Sequence, residues 1–196
     1  MSILLDVTAV ALSYLLGSMP TGFWLGLCIR GIDIREHGSR NIGATNTLRV
    51  LGKGLGITAL CCDIAKGVVP VLLLARIGDW EHLPLACGVA AIFGHSFSVF
   101  LRFRGGKGVA TSAGVFAALV PLPTLIAIVV FIAVLGLTRM VSAGSMCAAI
   151  TLGAGVFFVD LSLPVRAVTV VVALLVLFKH RGNLGRILKG EENRLW

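Results

Sequence analysis

Three polar segments interrupt an otherwise apolar chain, and their residue types suit the binding of phosphate. The first, SRNIGATNTLR at 39–49, is low in net charge. Ser39, Asn41, Thr45 and Asn46 are interleaved there with Gly43, and Gly38 precedes them. Small hydrogen-bonding side chains with glycine suit a loop whose backbone N–H groups close around an oxyanion. Arg40 and Arg49 add charge, and a guanidinium grips phosphate through two parallel donors. The plainer reading is a loop of surface arginines that sets membrane orientation.

The second segment, GHSFSVFLRFRGGKGVATS at 94–112, places Gly105, Gly106 and Gly108 around Lys107, with a helix predicted to open at Val109. Free N–H groups, the positive end of a helix dipole and a lysine converge there on an anion. The spacing is not that of a Walker A loop. The rival is a flexible link whose lysine reaches the membrane surface. His95, near the end of an apolar run, reads as hydrogen-bonded structure. The third segment, KHRGNLGRILKGEEN at 179–193, sets His180 and Asn183 where the last apolar run ends. A cationic helix on an anionic surface accounts for Arg186, Lys189 and Arg194 but not for the His-x-x-Asn pair. A smaller feature, TRMVSAGSM at 138–146, puts Ser142 and Ser145 on one helical face. Such serines usually bond within or between membrane helices. Ser145, one turn deeper, is placed to point inward.

The elements that carry these segments are apolar. Of 196 residues, 57% are hydrophobic and only 13% are charged; mean hydropathy is +0.99. A soluble globule of this size cannot hide so much apolar surface, and a disordered chain would be far more polar. A helical membrane protein is the class that remains. Lys and Arg number 17 against 9 Asp and Glu. The cations sit between long apolar runs and there is no aromatic-basic interleaving, so membrane orientation and anionic ligands are expected rather than nucleic acid. The five cysteines, Cys28, Cys61, Cys62, Cys87 and Cys147, lie in apolar runs without metal-ligand spacing. They read as small buried hydrophobes.

The apolar runs are 3–29, 55–77, 83–101, 108–138, 140–159 and 161–178. The first has no basic region before it and is expected to stay as a span. The fourth is too long for one crossing and contains Pro121 and Pro123, which predicts two legs, 109–120 and 122–138. Seven crossings then follow, with the N-terminus outside. Segments 30–53, 102–107, 139 and 179–194 share one face and hold fourteen of the 17 cations. The positive-inside rule puts that face, and the C-terminus, in the cytoplasm. Asp63 and Lys66, three apart inside a span, are expected to pair.

In order, GSMPTG (17–22), SRNIGATNTLR, GHSFSVFLRFRGGKGVAT, the TRMVSAGS turn and HRGNLGRILKGEE resemble the bacterial acyl-phosphate-dependent glycerol-3-phosphate acyltransferase family, the PlsY family. The resemblance covers nearly the whole chain. It implies an all-α integral membrane protein of seven transmembrane helices, a single acyltransferase domain over 1–196. It implies an enzyme of the bacterial inner membrane, multi-pass, with its active site facing the cytoplasm. The implied reaction moves a fatty acyl group from acyl phosphate to the 1-hydroxyl of glycerol 3-phosphate, giving lysophosphatidic acid and phosphate. No cofactor and no metal are implied. Partners are the two substrates and membrane lipid, and a soluble enzyme supplying acyl phosphate is a further candidate.

The resemblance implies Ser39 and Arg49 as essential, and the glycines around Lys107 as a phosphate-binding loop. It implies His180 and Asn183 as active-site groups, a structural role for Glu191 or Glu192, and a site serine that maps to Ser145, with Ser142 the alternative. Two departures stand out: Ser98 where the family has proline, and Arg40 where it often has glycine. The mechanism expected from these residues has Arg49 and Lys107 neutralising phosphate. Ser39, Asn41, Thr45, Asn46, Gly105, Gly106 and Gly108 would hold its oxygens. His180, oriented by Asn183, would act as base, with a substrate phosphate oxygen as the rival base and a Ser145 acyl-enzyme third. The alternative function is a small transporter or scramblase for anionic lipids.

Overall fold

The computed structural model describes residues 2–196. Every regular element among them is helical. Two compact units divide the chain, Met1–Leu119 and Val120–Trp196.

The first unit contains α1 (Ser2–Ser18), α2 (Thr21–Arg30), α3 (Ala44–Leu51), α4 (Lys53–Leu72), α5 (Leu83–Ser96) and α6 (Val109–Leu119). Short 3₁₀ turns at Leu74–Arg76 and Val99–Leu101 extend α4 and α5. The apolar run 3–29 is not one straight span. It breaks at Met19–Pro20, and α1 and α2 meet at 46°. Proline pushes the residue before it out of helical geometry and cannot donate to the preceding turn. Helices α4 and α6 pack backbone to backbone. A side-chain carbon on Gly67 would overlap the Thr111 carbonyl, and one on Gly114 the Ile64 carbonyl. Small residues permit this approach, which substitutes for a hydrophobic drive inside a membrane.

The second unit contains α7 (Pro121–Thr138), α8 (Val141–Gly155), α9 (Leu163–Lys179) and α10 (Arg181–Leu188). The long apolar run 108–138 is thus split at Val120, as its prolines predict, with α6 starting at Val109. Helix α7 has no charged residue, and only 17% of it is buried. Leu122, Leu125, Val129 and Ile132 are all more than half exposed. An apolar surface of that extent on a charge-free helix belongs in lipid.

Among the described residues, three helices are long and apolar enough to cross a membrane: Lys53–Arg76, Leu83–Leu101 and Pro121–Thr138. The count rises to five if the bent pairs α1–α2 and α9–α10 are each one span. The shorter α6 and α8 are apolar too. The chain is a multi-pass membrane protein. The cysteines depart from expectation: Cys87 is buried, but Cys28, Cys61 and Cys62 are exposed and Cys147 is intermediate. In a lipid-bathed helix the outward face is as apolar as the core, so an apolar run does not imply burial in protein.

Candidate active site

In the first unit the segment 39–49 is a loop only as far as Gly43. From Ala44 it is helix α3, so Thr45, Asn46 and Arg49 are helical. Asn41 makes the transition: its Oδ1 accepts the Gly43 N–H at 2.9 Å, a side-chain turn that stops the loop. The first helical bonds run from the Asn46 and Thr47 N–H groups to the Gly43 carbonyl. The N–H groups of Ala44 and Thr45 precede them, at the positive end of the helix. The segment is anchored from below by an apolar cluster of Ile34, Ile42, Leu51 and Leu101. Ser39 is exposed, while Thr45 and Arg49 are partly buried.

Asn46 corrects the expectation. It is 1% exposed. Its Oδ1 accepts the Ser39 N–H at 2.8 Å, and its Nδ2 donates to the carbonyls of Ile34 (2.8 Å) and His37 (3.1 Å). An amide so engaged braces the loop from inside and leaves no donor directed at a substrate. Arg40 has φ +57°, a left-handed conformation that a residue with a Cβ adopts at a cost and glycine adopts freely.

The glycine turn is also corrected in part. The Gly105 and Gly106 N–H groups donate to the Ser96 (3.3 Å) and His95 (2.9 Å) carbonyls at the end of α5. They close the turn onto α5 and are not offered to an anion. A Cβ on Gly105 would overlap the His95 carbonyl, and one on Gly106 the His95 imidazole. Gly108 has φ +80°, and its carbonyl accepts the Ser112 N–H at 2.7 Å, beginning α6. Lys107 is half-buried in this turn, and the first N–H groups of α6 follow it at the positive end of the helix. Ser98 has φ −65°, which proline would share. Its buried hydroxyl donates to the Ser18 carbonyl at the end of α1, a bond proline cannot make.

In the second unit His180 occupies the corner between α9 and α10, which meet at 52°. The ring is 2% exposed, and Nδ1 lies 2.8 Å from the Val176 carbonyl. A carbonyl only accepts, so Nδ1 carries a proton, and in the neutral tautomer this leaves the lone pair on Nε2. Asn183, one turn on, donates to Glu192 Oε1 at 2.6 Å. The same oxygen accepts the Ser142 hydroxyl at 2.8 Å, and Arg186 Nε reaches Oε2 at 2.8 Å. Glu192 is thus the hub, which separates it from the exposed Glu191. Burial opposes its ionisation, but the bonds from Asn183, Ser142 and Arg186 outweigh that and hold its carboxyl below the ordinary value of about 4.5.

Of the two serines, Ser142 is the one this network joins to Asn183. Ser145 donates to the Val141 carbonyl of its own helix, a local bond common for serine in helices. His95, expected from the sequence to be hydrogen-bonded structure, lies beside a charged pair, a placement that depends on Asp63, 32 residues away. Asp63 and Lys66 do pair, at 2.7 Å.

The glycerol-3-phosphate acyltransferase family model matches residues 7–190. Relatives named glycerol-3-phosphate acyltransferase include one from Fusobacterium nucleatum, 40% identical over 94% of this chain and 95% of its own. One from Desulforudis audaxviator is 46% identical over 99% of this chain and 98% of its own. A crystal structure of PlsY, an integral membrane glycerol 3-phosphate acyltransferase, in its glycerol 3-phosphate form is 35% identical with TM-score 0.89. It covers 96% of this chain and 94% of its own. The lysophosphatidic acid form gives 34% and 0.86, over the same shares of each chain. With near-complete coverage by the family model and by these relatives, the chain belongs to the glycerol-3-phosphate acyltransferase family.

Proposed function

We propose that this chain is a membrane acyltransferase that moves a fatty acyl group from acyl phosphate to the 1-hydroxyl of sn-glycerol 3-phosphate. The products are 1-acyl-glycerol 3-phosphate and phosphate. The observation that carries this reading is a solved relative, alike over 96% of the chain, in both a glycerol 3-phosphate and a lysophosphatidic acid form. The whole of 1–196 works as one acyltransferase domain. It crosses a bacterial inner membrane seven times, with the N-terminus outside and the basic segments in the cytoplasm. The positive-inside rule supports that orientation, and five spans with the bent pairs plus the shorter α6 and α8 supply seven helices.

Acyl phosphate is a mixed anhydride and already activated, so positioning and charge stabilisation supply most of the catalysis. The glycerol oxygen attacks the acyl carbon, the bond from that carbon to the phosphate oxygen breaks, and phosphate leaves with the electron pair. Arg49 and Lys107 neutralise phosphate charge. Ser39, Asn41, Thr45 and the start of α6 beyond Gly108 hold phosphate oxygens. His180 takes the hydroxyl proton on Nε2, a role its Nδ1 bond to Val176 supports. Asn183 stays an active-site group held by Glu192. Ser145 keeps a substrate-binding role, and Ser142 serves the Glu192 network. The substrates and membrane lipid are the partners, with a soluble enzyme delivering acyl phosphate. The purified protein in detergent, given a long-chain acyl phosphate and glycerol 3-phosphate, is expected to release phosphate and form lysophosphatidic acid. No release without a second compartment would mark a transporter and end this reading.

A further inference from the structure

A buried charge cluster lies against the glycine turn of the first unit, and the chemistry above makes no use of it. Asp63 and Lys66 on α4 are 2% and 5% exposed, with carboxylate and ammonium 2.7 Å apart. Lys66 Nζ also donates to the Met19 carbonyl at 2.8 Å, at the break between α1 and α2. His95, 5% exposed, closes α5 and brings Nδ1 to 3.8 Å from the same Asp63 oxygen.

Two contacts tie this cluster to the turn that carries Lys107. The His95 carbonyl accepts the Gly106 N–H, and the His95 ring lies so near Gly106 that a side-chain carbon there would overlap Nε2. On the other side Gly67, next to Lys66, packs on the Thr111 carbonyl in the first turn of α6. The turn is therefore held at its start by α5 and at its end by α4, the two helices that carry the cluster.

Stability alone does not call for these ions. A buried pair replaced by apolar side chains of similar volume is often as stable or more so, and charges within a span are costly. What an ion pair with a third polar partner supplies is direction, because its geometry is specific where apolar packing is not.

We propose that Asp63, Lys66 and His95 are positioning residues for the Gly105–Gly108 turn. The pair fastens α4 to the α1–α2 break and sets the His95 ring against Gly106, and this fixes the turn that presents Lys107. The proposal rests on the reading of that turn as a phosphate site.

The test is the paired variant Asp63→Leu with Lys66→Met, which removes both charges together. In detergent it should melt at or above the parent temperature, yet lose about 10-fold to 100-fold in kcat/KM, chiefly through KM for a phosphorylated substrate. A kcat/KM within about twofold of the parent overturns the proposal, as does a lost melting transition, which would assign the ions to the fold. His95→Gln gives an independent arm. Alone it should cost about tenfold, but added to Lys107→Ala it should cost less than about twofold, because both act through one turn. Losses that simply multiply overturn the proposal. Lys107→Ala alone separates the two claims. If it changes nothing, the phosphate reading fails and the proposal with it. If it impairs turnover while the charge variants do not, only the positioning claim fails.

Discussion

The glycine turn of the first unit and the carboxylate hub of the second hold their polar groups by opposite means. In the first, the backbone does it: the Gly105 and Gly106 N–H groups bond α5 carbonyls, and glycine at both positions lets the turn lie on His95. In the second, one side chain does it. Glu192 gathers Ser142, Asn183 and Arg186 around a single carboxylate. The stability of a backbone-held turn suffers more from a gain of volume than from loss of a neighbouring side chain. A carboxylate hub fails by loss and by protonation. The difference makes volume the vulnerability of the turn and charge that of the hub.

The largest effects should fall on groups proposed to meet substrate. Lys107→Ala and Arg49→Ala should each lower kcat/KM by roughly 10²–10³-fold with an unchanged melting temperature. His180→Ala should lower kcat by about 10²–10⁴-fold at saturating substrate; near-parental turnover would remove it as base and leave the substrate phosphate in that role.

Next come the variants that probe the comparison itself. Glu192→Ala should destabilise the protein by roughly 2–3 kcal/mol, since three donors lose a charged acceptor, and Glu192→Gln by less. Protonation should mimic this. The folded carboxyl lies below its ordinary value, so its stabilisation is complete above about pH 4.5 and is lost as pH falls through the folded value. A melting curve whose acid limb is unchanged in Glu192→Gln would show that the hub is not ionised. Gly106→Ala should cost about 1–3 kcal/mol by overpacking His95. Circular dichroism in detergent reads both, and equal acid sensitivity in the two units would erase the contrast.

Smaller effects separate the serines. Ser142→Ala should cost about 1 kcal/mol through its bond to Glu192, whereas Ser145→Ala should change stability by less than about 0.5 kcal/mol. A drop in activity for Ser145→Ala alone would keep it in the site. Smallest of all, Arg40→Gly should raise stability by about 0.5–1 kcal/mol through relief of its left-handed backbone, less the flexibility glycine adds to the unfolded chain.

The local settings of several motif residues were legible in the sequence. Lys107 between glycines at a helix start and His180 with Asn183 at a helix corner stand where the motifs placed them, and Asp63 pairs with Lys66. Other assignments turned on distant partners. Asn46 has the composition of a phosphate ligand, yet the Ile34 and His37 carbonyls claim its amide. The helical rise from Ala44 was masked by polar residues that resemble a loop. Ser142 and Ser145 share a helix face, and only Glu192, 50 residues from Ser142, tells them apart.

By itself the sequence determined an apolar, positively biased, helical membrane chain with ordered phosphate-suited motifs, because hydropathy, glycine spacing and charge placement are local and additive along the chain. Tertiary structure alone decided which polar atoms are already engaged and which remain to meet a ligand. A hydrogen-bond donor can be spent once in a given direction, and whether a carbonyl from another helix takes it depends on packing that no single segment encodes.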